Sequence, residues 1–153
     1  MKHRLLLLFI VVLSLAVVSP ARAADYTIKE VRFEAADTAE RTETVHIVLN
    51  ALLYPTIFAL VENTPRVVCD FINAEPAKDI NRTIEANGRY IQRIRIGVHA
   101  DPKTKTRIVL DLVPDRDYTI QQIPSPKNNS FNVVVRVAGE ENAPAADEQI
   151  QEK

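Results

Sequence analysis

The sequence predicts an all-β protein, a small sandwich of two β-sheets with about eight short strands. Three observations predict it. From Tyr26 to Leu112 apolar residues mostly alternate with polar ones, which is the period of half-buried strands. The breaks in that alternation fall at Pro-, Asn- and Asp-bearing stretches, which are turn chemistry. The 153 residues, 46% hydrophobic and 25% charged, have the composition of one ordinary globular domain.

Taken in order, Ile28 precedes a shift in the alternation, after which Val31 and Phe33 share a face. Val45, Ile47 and Leu49 form the next inward row, with Thr44, His46 and Asn50 opposite. Thr56 to Val61 is a short apolar run closed by the turn sequence Glu62-Asn63-Thr64-Pro65. Arg66 to Ile72 follows, with Val67, Cys69 and Phe71 on one side and Arg66, Val68 and Asp70 on the other. Asn73 to Arg89 carries Pro76, Asn81, Asn87 and Gly88, and is read as a loop with one helical turn near Asp79–Ile84.

Two strands then read most clearly. Ile94, Ile96 and Val98 face inward against Arg93, Arg95 and Gly97, and Ile108, Leu110 and Leu112 face inward against Arg107, Val109 and Asp111. The polar connection from His99 to Lys105 contains Pro102, as a hairpin loop should. Closure about Pro102 pairs Ile96 with Ile108, Ile94 with Leu110 and Arg93 with Asp111, and a one-residue slip would turn every apolar side chain outward. Pro114 ends the second strand. Tyr118 to Gln122 and Phe131 to Val137 supply two more, around a loop with Pro124, Pro126, Asn128 and Asn129. Residues 138–153, rich in Glu and without aromatic residues, read as a disordered acidic tail that cannot bury enough apolar surface to offset ordering entropy.

The chain begins with an export signal. Lys2, His3 and Arg4 precede an apolar run from Leu5 to Val18, followed by Ser19, Pro20 and the small-residue site Ala21-Arg22-Ala23. This is the order of a secretory signal peptide over residues 1–23, with cleavage after Ala23 and delivery to the periplasm. The run is shorter than the ~20 residues of a membrane-spanning helix, so no membrane span is expected after cleavage. Cleavage leaves 130 residues with 16 basic and 20 acidic side chains, a net charge of −4. That balance argues against non-specific nucleic-acid binding, which relies on a basic surface.

Familiar reaction chemistry is missing from the sequence. Three glycines exclude a glycine-rich phosphate loop, and a single cysteine excludes an intrachain disulfide framework. His46 and His99 are too isolated for a zinc site, and Ser125 and Ser130 have no base at a recognisable spacing. The expectation is a non-enzyme with no metal and no cofactor. Cys69 alternates inward between Val67 and Phe71 and is read as an inert buried thiol.

Three blocks carry a family resemblance: Pro65-Arg66-Val67-Val68-Cys69-Asp70-Phe71-Ile72-Asn73-Ala74, Ile91-Gln92-Arg93-Ile94-Arg95-Ile96-Gly97, and Thr106-Arg107-Ile108-Val109-Leu110-Asp111-Leu112. In this order and spacing they resemble the AMIN domain, over roughly Tyr26 to Val137. The resemblance implies a two-sheet sandwich of the cell envelope. Such domains precede the catalytic part of N-acetylmuramoyl-L-alanine amidases and occur in pilus secretins, where they bind peptidoglycan and localise the attached machinery. The copy here is read as stand-alone, residues 24–137 forming the domain. The implied role is an exported, non-catalytic peptidoglycan-binding module; the alternative is a protein–protein adaptor in a periplasmic pilus or secretion complex.

Candidate ligand residues follow from the outward side of the clearest hairpin. Arg93, Arg95 and Arg107 project from one face, with Arg89 and Tyr90 just before it and Asp111 across from Arg93. Guanidinium groups grip carboxylates through paired hydrogen bonds, and peptidoglycan stems carry carboxylates. Tyr90 is placed to stack on a sugar. The competing reading is that Arg93 simply pairs with Asp111 across the strands. Arg66 and Asp70 are read as keeping the neighbouring outer face soluble or joining the same ionic lattice.

Overall fold

The computed structural model describes residues 24–37, 41–61, 64–100 and 103–139. Its strands are β1 (Tyr26–Asp37), β2 (Thr42–Leu49), β3 (Thr56–Leu60), β4 (Arg66–Ile72), β5 (Ala74–Pro76), β6 (Thr83–Glu85), β7 (Ile91–His99), β8 (Lys105–Leu112), β9 (Tyr118–Ser125) and β10 (Ser130–Val137). One five-stranded sheet runs β5-β1-β2-β10-β9 and the other β3-β4-β8-β7-β6. All neighbours are antiparallel except β1 and β5. The expected all-β sandwich is therefore what forms. The expected leader over residues 1–23 and the expected acidic tail from residue 140 onward lie outside the described residues, as does Pro102 of the hairpin loop.

Alternation does the folding work. Along β2, Glu43, Val45, Ile47 and Leu49 point inward with at most 1% exposure, and Phe131, Val133 and Val135 of β10 meet them. The second sheet answers with Val67, Cys69 and Phe71 of β4, Ile94 and Ile96 of β7, and Ile108, Leu110 and Leu112 of β8. The two layers lock where Phe71 and Phe131 pack edge to face, ring centres 6.4 Å apart. Burial of each such side chain contributes roughly 1.5–3 kcal/mol.

The β7–β8 register pairs Ile96 with Ile108, Ile94 with Leu110 and Arg93 with Asp111, as the alternation requires. A bulge between Ile91 and Arg93 turns Ile91 into the core opposite Leu112. Val98 departs from expectation: it lies beyond the core at the strand end and is 46% exposed.

The stretch read as a loop with a helical turn is different in detail. It holds β5 and β6, and Asp79–Ile84 contains turns and the start of β6 rather than helix. The chain crosses between sheets at Asn73, whose φ of 57° is tolerated by Asn. Both strands are three residues long, and so short an element carries no measurable period.

Candidate ligand-binding face

Alternation that buries one side of β4, β7 and β8 turns the other side to solvent, and register decides what meets there. One row across the second sheet reads Leu60, Arg66, Asp111, Arg93 and Glu85. The next reads Phe58, Val68, Val109, Arg95 and Thr83, and a third Thr56, Asp70, Arg107 and Gly97. The face grades from partly exposed apolar groups at β3, Phe58 and Leu60, to guanidinium groups over β7 and β8. Gly97 leaves a gap in it, because a side chain there would meet only the His99 ring, 3.7 Å away. Around the gap is a shallow hollow of about 450 Å³, whose walls include Phe58, Val68, Arg95, Arg107 and Val109.

The carboxylates on the face are all engaged. Arg107 donates through Nε and Nη2 to both oxygens of Asp70, at 2.7 and 2.8 Å, and Lys105 Nζ adds a bond of 3.0 Å. The Arg107 hydrogen bonds foremost, helped by Lys105, hold the Asp70 carboxyl down at about 2 against the opposing push of burial. Arg95 grips Asp111 in the same two-pronged way, at 2.8 and 2.6 Å. Those bonds raise the guanidinium pKa values of Arg95 and Arg107, which stay charged throughout. The Arg107 guanidinium also lies 5.6 Å from the centre of the Phe58 ring.

Arg93 does not bond to Asp111, although the two are directly opposed. The diagonal neighbour Arg95 takes that carboxylate, and Arg93 turns to Glu85 on β6, 2.9 Å away. The expected Arg93–Asp111 pair is replaced because Glu85 stands opposite Arg93 on β6, in a stretch that reads as loop from the sequence. Arg66 is not with Asp70 either. No hydrogen bond or ion pair among the described residues engages its guanidinium, and its Nε is shielded without a partner.

The structure brings Arg93, Arg95, Arg107 and Asp111 together on this face and sets Arg89 and Tyr90 apart. Tyr90 is 0% exposed, its ring edge-on to Tyr118 and 5.5 Å from the Arg89 guanidinium, so it has no free face for a sugar. Tyr90 shares the inward parity of Ile94 and Ile96, and the bulge at the start of β7 turns Ile91 inward beside it.

Arg89 and Tyr90 belong instead to a device that sequence reasoning missed. The Glu43 side chain, 1% exposed, crosses from the first sheet and accepts the backbone N–H groups of Arg89, Tyr90 and Ile91 at 2.5, 3.0 and 2.7 Å. Gly88 makes room for it, since a Cβ there would stand 2.6 Å from both carboxylate oxygens. The signal was present: Glu43 shares the inward parity of Val45, Ile47 and Leu49, and a buried acid at such a position needs donors.

Elsewhere, His46 on the outer face of the first sheet contacts Glu34 Oε2 at 2.6 Å and Asn132 Oδ1 at 3.1 Å. Cys69 is fully buried, and burial first, then the Asp70 charge, pushes its thiol up to about 12. Among the described residues no three His, Cys, Asp or Glu side chains converge to hold a metal.

Comparison with protein families matches the AMIN domain over residues 30–135. The chain belongs to the AMIN domain family. AMIN domains are non-catalytic periplasmic modules that bind peptidoglycan in amidases and secretins. Comparison with curated proteins gives no match. In this AMIN domain the three sequence blocks are β4, β7 and β8, which lie side by side in the second sheet. Among the described residues no helix is long and apolar enough to cross a membrane.

Proposed function

We propose that the protein is an exported, non-catalytic module that binds peptidoglycan through the outer face of its second sheet. The observation that carries this reading is the concentration of cations there. Among the described residues Arg66, Arg93, Arg95, Lys105 and Arg107 share the face with only Asp70, Asp111 and Glu85, in a chain whose overall charge is −1. A fixed array of guanidinium groups suits the carboxylates of peptide stems, and the ion pairs hold it in place before any ligand arrives. Phe58 and Leu60, beside it, offer apolar surface to a sugar ring. The leader over residues 1–23 supports export to the periplasm, where the polymer lies.

Co-sedimentation of the purified protein with sacculi tests the proposal. Binding at low salt that weakens as salt rises is expected; no sedimentation at low salt contradicts it. Arg93→Ala with Arg95→Ala should reduce sedimentation while the melting temperature barely moves, since both guanidinium groups are about half-exposed and solvated pairs are worth ~0.2–1 kcal/mol each. Unchanged binding in that variant clears the two arginines of the role.

A second reading, an adaptor in an envelope complex, has one observation in its favour. Among the described residues β3 bonds only to β4, and near its open edge Tyr54, Leu60 and Val61 are 64%, 43% and 80% exposed. An extended partner strand would add there, and failure to sediment with sacculi moves this reading ahead.

A further inference from the structure

Arg66 stands in an unusual position on the face. Its register partner across β4 and β8 is Asp111, the acid with which it would ordinarily pair. That carboxylate is bound at both oxygens by Arg95, and its side chain is only 13% exposed. Arg93, the other guanidinium beside Asp111, is committed to Glu85. The result is a hollow of about 310 Å³ edged by Thr64, Arg66, Arg93, Arg95 and Asp111, in which one guanidinium has no counter-charge among the described residues. The same side chain also borders the Gly97 hollow.

We infer that Arg66 is the carboxylate-binding residue of this face, and that Arg95 is a positioning residue that keeps Asp111 away from it. Resting on the peptidoglycan reading, this narrows the recognised group to a free carboxylate of the peptide stem. The physical reason is a difference in what binding must break. A ligand carboxylate that approaches Arg93, Arg95 or Arg107 competes with an acid already held in a two-pronged or short contact. At Arg66 it displaces no acid among the described residues and gains a charge-assisted pair. The row of paired arginines then contributes a positive field and a fixed frame, while the unpaired one supplies the bond.

The test uses the intact protein and two preparations of sacculi, native and with their carboxyl groups converted to amides. Wild type should bind native sacculi and lose roughly tenfold or more in affinity on the amidated ones. Arg66→Gln should bind native sacculi as weakly as wild type binds the amidated form, and Arg66→Lys should recover part of the loss. Arg95→Gln should also weaken binding, because it frees Asp111 to pair with Arg66, and adding Asp111→Asn should restore it. A merely structural role for Arg95 predicts no such rescue. Wild type that binds both preparations equally, or Arg66→Gln that matches wild type on native sacculi, overturns the inference while leaving the peptidoglycan reading standing. Wild type that binds neither overturns both.

Discussion

Glu43→Gln changes one oxygen for an amide nitrogen at the point where the two sheets are tied. In the wild type one carboxylate oxygen accepts the Arg89 N–H and the other accepts those of Tyr90 and Ile91. A carboxamide has a single acceptor oxygen, so in either orientation its NH₂ group faces at least one backbone donor. Turned for the better fit, it keeps Tyr90 and Ile91 and loses Arg89, a bond to a charged acceptor worth ~1.5–3 kcal/mol. The two that remain lose their charge assistance. The expected destabilisation is about 3 kcal/mol, a fall of roughly 10 °C in melting temperature for a domain of this size. Urea unfolding followed by circular dichroism at neutral pH measures it. Gly88→Ala probes the same contact from the other side, because its methyl group meets the carboxylate oxygens. It should be costly in wild type and nearly harmless in Glu43→Ala, where the space is free, a coupling that a double-mutant cycle reads directly. A loss below 0.5 kcal/mol in Glu43→Gln, or Gly88→Ala costs that simply add to those of Glu43→Ala, would refute the reasoning.

Other outcomes follow from the same geometry. Asp70 titrates near 2 in the fold against an ordinary 3.8, so the unfolded chain binds its proton first as pH drops. Its contribution, about 2 kcal/mol, is complete above pH 4 and is lost as pH falls toward 2; Asp70→Asn should therefore flatten the acid limb of a stability–pH curve. Cys69 should resist a thiol reagent at pH 8 in the native protein and react at once in denaturant, and rapid native labelling would contradict its burial. Gly97→Val should fill the outer hollow with the fold intact, leaving stability within ~0.5 kcal/mol and lowering sacculus binding; undiminished binding would take the hollow out of the site.

What the sequence disclosed and what it withheld divide along physical lines. Strands of seven or eight residues such as β2, β4, β8 and β10 repeat their period often enough to be seen, and burying one side leaves a single admissible register for β7 against β8. β5 and β6 are too short for any period, and they sit among Asn and Pro residues that read as loop. The bulge before Arg93 is local and turned Ile91 inward, whereas Tyr90, expected as a ligand platform, had the inward parity of Ile94 and Ile96 and lies in the core. The arginine face was legible from parity alone. Which arginine held which acid was not, because long side chains reach diagonal neighbours and strands absent from the reading: Arg95 took Asp111, and Glu85 of β6 took Arg93. Glu43 was legible in principle, an acid in an inward row.

The most direct measurement of the central claim is an amide-resolved titration of the labelled protein with soluble peptidoglycan fragments. The account predicts shifts that cluster on the outer face of the second sheet, at Phe58, Arg66, Arg95, Gly97 and Arg107, with His46 and Asn132 on the opposite face unmoved. Shifts centred on His46 and Asn132, or a spectrum that fragments leave unchanged, would contradict it.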